Sequence, residues 1–248
     1  MTATRSAGRL AIALCCLLAW AVAGRAQTAE TTSRGWTVRM PQAALLAEQF
    51  ELLAFTNEFG GAHRAGHIVR WAGPVRYSFA DGAEAVWMAE ARNQLVRLAQ
   101  LSGLDIAEAG LLTPGGANLD IAFEDNGLEE MPDGATVCRT LVEDSDYRIT
   151  RVRVFIIGNI DAIRRHCIVE ELTQALGLAD DSPLIWPSIF NDQSVQQGLY
   201  PWDEAMVRVL YDRRLRPGMD VLEARPLIAE IVAPLAAPPP AASPARPR

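Results

Sequence analysis

The chain contains no lysine; all 23 of its basic side chains are arginines. That excludes Schiff-base chemistry and P-loop phosphate binding, both of which need a lysine amine. Positive charge is in deficit overall, with a formal net charge of −7. Histidine and cysteine are scarce, at three and four residues. No internal repeat is present, and the one long apolar run, Leu10 to Ala23, falls short of the roughly 20 residues that span a bilayer.

What is there at the N-terminus is an export signal. Arg5 and Arg9 precede the apolar run, and Ala23-Gly24-Arg25-Ala26 offers the small residues a signal peptidase reads. Cys15 and Cys16 lack the small preceding residue that a lipidation site wants, since Leu14 and Cys15 stand there. Residues 1–26 are therefore read as a signal peptide cleaved near Ala26, and the protein as periplasmic or secreted. Cleavage there removes Arg5, Arg9 and Arg25 and no acid, taking the charge to −7 − 3 = −10. So acidic a chain is a poor ligand for nucleic acid or anionic membrane. Residues 27–40 read as a linker, 41–232 as one domain without a transmembrane helix, and 233–248, rich in Pro and Ala, as a disordered tail. Cys138 and Cys167 survive processing, and an oxidising compartment favours their pairing; two buried thiols are the alternative.

The spacing of Leu45, Leu46, Phe50, Leu53 and Phe55 predicts an amphipathic helix over 41–59. A strand-like segment from Ile68 to Phe79 follows, with Pro74 favouring an edge position or a bend. A helix over 82–101 comes next, then short strands at 105–106 and 118–124. Arg151 to Ile157 reads as a buried strand, leading into a helix over 160–176 that Gly177 should terminate. Asp203 to Tyr211 is taken as the last core helix. The pattern makes an α+β (mixed α/β) domain.

The segment that carries chemistry is Cys167-Ile168-Val169-Glu170-Glu171-Leu172-Thr173-Gln174-Ala175-Leu176-Gly177-Leu178-Ala179-Asp180. At about 100° per residue, Ile168, Val169, Leu172, Ala175 and Leu176 form an apolar face, and Cys167, Glu170, Glu171 and Gln174 a polar one. The polar spacing matches the zinc-protease pattern H-E-x-x-H, extended by a glycine and a third ligand. Laid on that pattern, Glu170, Gln174 and Asp180 take the ligand positions, Glu171 the general-base position and Gly177 the turn. With Pro187-Ser188-Ile189-Phe190-Asn191-Asp192, Leu210-Tyr211-Asp212 and Arg70-Trp71-Ala72-Gly73-Pro74-Val75-Arg76-Tyr77, this segment resembles the proteobacterial domain-of-unknown-function family 2927 and, more broadly, the metzincin-like zincin fold. The resemblance implies a mixed sheet packed on two long helices, a C-terminal lower subdomain, and a turn beneath the site at Ser188, Ile189 and Phe190, where Phe190 replaces the methionine of active metzincins.

The resemblance implies architecture without the ligands. Imidazole nitrogens suit Zn²⁺, whereas an oxygen set at Glu170, Gln174 and Asp180 suits Ca²⁺ or Mn²⁺. No cofactor is expected, and zinc is disfavoured. Adjacent Glu170 and Glu171 diverge around the helix, unlike the paired carboxylates of glycosidases. A structural alternative has Glu171 and Gln174 bonding the loop around Ser188 and Asn191. His63 and His67 are spaced i to i+4 but sit among glycines, as in a loop. Asp180-Asp181 and Asn191-Asp192 form turns or a cation cluster, and Trp71, Trp87, Trp186 and Trp202 serve as core or cleft aromatics. The reading is an exported module with a degenerate zinc motif that binds a peptide or an envelope protein. The alternative is a peptidase-like hydrolase using Glu171 at an oxygen-rich metal site.

Overall fold

The computed structural model describes residues 31–33, 36–56, 65–124, 138–157 and 160–237. The segment read as a signal peptide, His63 and residues 238–248 lie outside them. A short antiparallel pair, β1 (Thr31–Ser33) and β2 (Trp36–Val38), precedes helix α1 (Ala43–Phe55). The body then alternates: β3 (Val75–Phe79), α2 (Ala85–Ser102), β4 (Ile106–Glu108), β5 (Leu119–Glu124), β6 (Cys138–Ser145), β7 (Arg148–Ile157) and α3 (Asp161–Gln174). Helices α4 (Pro201–Leu210) and α5 (Val221–Val232) complete it.

The five longer-range strands form one mixed sheet in the order β4-β3-β5-β7-β6. Four run parallel, and only β6 is antiparallel to its neighbour. The crossover from β3 to β4 through α2 is what a parallel pair requires. Registers Tyr77 to Leu119, Leu119 to Val152 and Val152 to Val142 align one face across the sheet. On that face Val75, Tyr77, Leu119, Ile121, Val152, Val154 and Ile156 are buried beneath α2 and α3. Arg76, Arg151 and Arg153 alternate onto the other face, where they pair with Asp105, Asp120 and Glu143. The class is thus the mixed α/β expected. Helices α1, α4 and α5 pack together around Leu46, Phe50, Val209, Leu210 and Ile228, all fully buried.

Four expectations change. β3 is a central strand, not an edge; the bend that Pro74 also allowed is present, at Gly73, and Pro74 stands one residue before the strand, removes no ladder donor, and accepts at its carbonyl from the Asn118 amide at 3.0 Å. Residues 138–145, not anticipated as a strand, form β6. They join β7 through a two-residue turn whose Asp146 and Tyr147 both have positive φ, 50° and 62°. That is the hairpin geometry usually signalled by Asn-Gly. The helix at 201–210 is not the last, because α5 follows; it runs through Pro226, and Asp220 caps it by accepting from the Leu222 and Glu223 amides. Finally, residues 233–237 lie against the body, with the Ala237 amide donating to the Pro41 carbonyl at 3.0 Å.

Cys138 and Cys167 are bonded, with Cα atoms 5.9 Å apart. The bridge fastens the start of β6 to α3 across 29 residues of sequence. Closing a loop of that length restricts the unfolded chain by about 3.5 kcal/mol. Replacing both cysteines by alanine should therefore lower the unfolding free energy by about 3 kcal/mol, read from the denaturant midpoint at unchanged slope; an unmoved midpoint would contradict this role.

Candidate functional site

Helix α3 carries the site, and its C-terminal end decides where the site sits. The last carbonyls of a helix have no intrahelical donors. Here the Trp71 indole donates to the Ala175 carbonyl at 2.9 Å, and the Tyr211 hydroxyl to the Leu176 carbonyl at 2.8 Å. Gly177, at φ +115°, then brings the chain so close to Val69 that a Cβ would fall 2.1 Å from its carbonyl oxygen. Only glycine fits there. The helix ends at Gln174, and Gly177 makes the turn expected of it.

Glu171 faces the sheet and is 5 % exposed. The Thr140 hydroxyl on β6 lies 2.7 Å from its Oε2 and 3.0 Å from its own carbonyl oxygen. A hydroxyl has one proton to give. Thr140 therefore donates to one of these two Glu171 oxygens at a time. Burial pushes Glu171 up to about 8, opposed by the Thr140 bond and reinforced by Glu170 and Asp181. At neutral pH it is therefore mainly a neutral proton donor.

Glu170 turns to His166, whose Nε2 is 3.2 Å from its Oε2, while His166 Nδ1 is 2.7 Å from the Gln196 carbonyl. Burial pulls His166 down, but Glu170, the Gln196 carbonyl and Glu171 outweigh it, and the net shift is upward. Gln174 donates to Asp181 at 3.0 Å. Asp180 accepts from the Thr56 hydroxyl at the end of α1 and from the Asp181 amide. The three ligand-like positions thus each hold a different partner. Among the described residues no three His, Cys, Asp or Glu side chains are grouped to hold a metal ion.

The loop around Ser188 does not bond Glu171 or Gln174, contrary to the structural alternative above. Ser188 instead donates to Asp203 at 2.6 Å, and the Ile189 and Tyr200 amides donate to the same carboxylate. Ser188, Ile189 and Phe190 are fully buried, so the turn is locked to α4. Burial pushes Asp203 up to about 7, against the pull of these three donors. Asn191 donates to the Ile185 carbonyl, and Asp192 is exposed and makes no hydrogen bond among the described residues, so the Asp180-Asp181 and Asn191-Asp192 pairs do not form one cluster. His67 stacks on Tyr147 with centroids 4.7 Å apart and lies outside any helix. Trp71 and Trp202 bond carbonyls inside the core, Trp87 is buried beneath arginines, and Trp186 is 69 % exposed.

Neither motif nor spacing pointed to Thr140, Thr56 or Asp203. Thr140 lies on the strand hidden by its unusual turn, and the contacts of Thr56 with Asp180 and of Asp203 with Ser188 join separate segments of the chain. Between β6 and the end of α3 a shallow hollow is lined by Thr56, His67, Val69, Val142 and Ala179.

The Glu171 shift makes a signed prediction. Because its folded pKa exceeds the ordinary carboxylate value, the unfolded chain ionises first, and Glu171 costs stability progressively from about pH 4.5 to 8. Glu171→Gln should stabilise the protein at pH 9 and leave it nearly unchanged at pH 4; an equal effect at both pH values would sink the assignment.

A family model described as Protein of unknown function (DUF2927) matches residues 43–230. No curated protein matches the chain.

Proposed function

The chain belongs to the DUF2927 family, and we propose that it is an exported, periplasmic or secreted binding module on a metzincin-like scaffold that no longer supports zinc catalysis. The observation that carries this reading is the engagement of Glu170, Gln174 and Asp180 with His166, Asp181 and Thr56. Three side chains so occupied, none of them imidazole, leave no nitrogen donors for zinc. The scaffold side of the reading is supported by the strand order β4-β3-β5-β7-β6, the antiparallel edge strand β6, the helix after β7 and the buried turn at Ser188 to Phe190.

The partner on this reading is an extended peptide or a strand of an envelope protein. β6 is the last strand of the sheet among the described residues, a shallow hollow lies beside it, and an extended peptide that adds to a sheet edge would meet this side of the molecule. The rival reading, a peptidase-like hydrolase working through Glu171 at an oxygen-rich Ca²⁺ or Mn²⁺ site, draws on the displaced titration of that carboxyl.

One experiment separates the two. Protein purified without chelators is assayed for bound metal and for cleavage of a peptide library, beside Glu171→Gln. The binding reading expects no stoichiometric metal, no cleavage, and slowed amide exchange in β6 when a peptide is bound. Stoichiometric metal with cleavage abolished in Glu171→Gln would overturn it.

A further inference from the structure

A second cleft lies across α3 from the β6 edge. Arg165 and Gln174 are nine residues apart, which places them about 180° apart around the helix, so this cleft shares no wall with the site above. It has a volume of ≈ 220 Å³ and opens between α2, α3 and the segment before α4. Ile168 and Val169 line it from α3, and both are buried. Polar groups from three separate parts of the chain meet there: Glu90, Asn93 and Gln94 on α2, Arg165 on α3, and Gln197.

The charges in it are held but loosely satisfied. The Arg165 guanidinium sits over the Trp87 ring at 5.3 Å, which fixes its plane. Its Nε is 3.4 Å from Glu90 Oε1, long for a charge-assisted bond. Its two terminal nitrogens have no hydrogen-bond partner among the described residues, although such a fork suits a carboxylate. Gln94 is anchored through its Nε2 to Thr173 at 3.1 Å, leaving its carbonyl oxygen as an acceptor. The Asn93 and Gln197 amides make no side-chain hydrogen bond among the described residues. Both charged groups are about a third or more exposed, at 35 % and 41 %, so a solute reaches them without unfolding anything.

We propose that this cleft binds a small zwitterion of the α-amino-acid class, its carboxylate on the outer fork of Arg165 and its ammonium on Glu90. Such a ligand exchanges one long ion pair for two charge-assisted contacts, with the amides of Asn93, Gln94 and Gln197 completing its hydrogen bonds. A simple anion meets the repulsion of Glu90, and a neutral sugar gains nothing from the paired charges. The apolar floor of Ile168 and Val169 favours a small aliphatic side chain.

The inference stands apart from the β6 reading, and its test keeps them apart. The mature chain is titrated calorimetrically with glycine, L-alanine, L-valine and L-leucine, and with acetate and glucose as comparators. Saturable binding of at least one amino acid is expected, tighter than either comparator. Arg165→Gln and Asn93→Asp should each raise its Kd by about tenfold or more, and Arg225→Gln, which removes an ion pair with Glu51 elsewhere, should not. Asn93 is exposed, so its variant carries the test if the arginine variant folds poorly. No saturable amino-acid binding, equal binding of acetate or glucose, or unchanged affinity in the folded variants would overturn the proposal.

Discussion

The structure depends on how the last turn of α3 is closed. An unpaired buried carbonyl costs free energy comparable to a lost hydrogen bond, and this turn presents two of them next to the core. Trp71 and Tyr211 satisfy them from opposite directions in sequence, and Gly177 lets the chain leave past Val69. Arg70, the neighbour of Trp71, extends the same junction by donating to the Leu210 carbonyl at the end of α4 and to the Asp212 and Leu215 carbonyls beyond it. One short segment before β3 therefore joins the ends of two helices. The orientation of α3 over the sheet, and with it every polar residue on that helix, follows from this junction and from the disulfide at Cys167, midway along the helix.

Once α3 is fixed, its polar residues meet surroundings that differ by direction. Glu171 points into the sheet and becomes a neutral hydrogen-bonding group with Thr140. Glu170, one residue away, turns to His166. Arg165 faces the groove against α2. Asp203 repeats the theme in the helical layer, where a buried carboxyl gathers three donors and ties a turn to a helix. For Glu171 and Asp203 alike, burial raises the carboxyl against the pull of its donors.

Much of the architecture was legible in the residues. The apolar spacing of α1, the Val, Phe and Ile run of β7, the helix after it and the pairing of Cys138 with Cys167 all appear in the structure. The failures have physical causes. β6 was hidden because its turn, Asp146-Tyr147, adopts positive φ without glycine or asparagine. α5 was hidden by Pro226, which reads as a breaker although the helix continues through it. Pro74 suggested an edge because a proline lacks a donor, but it stands outside the ladder. For the site, helical spacing put Glu170, Glu171 and Gln174 together on the polar side of α3, but Glu171 is buried against the sheet. The spacing gave no sign of the partners that occupy them.

The sequence by itself determined what is local or compositional: the absence of lysine chemistry, the acidic balance, the periods of helix and strand, and the glycine at the turn after α3. Those properties depend on residues within a few positions of one another, or on a simple count. Only the tertiary structure decided that Thr140 faces Glu171, that Thr56 takes up Asp180, that Asp203 holds Ser188, and that Arg165 stands free at its outer edge in a cleft with Glu90. Each of those contacts joins residues far apart in the chain, and its effect on charge and hydrogen bonding exists only after the helices have packed and excluded water.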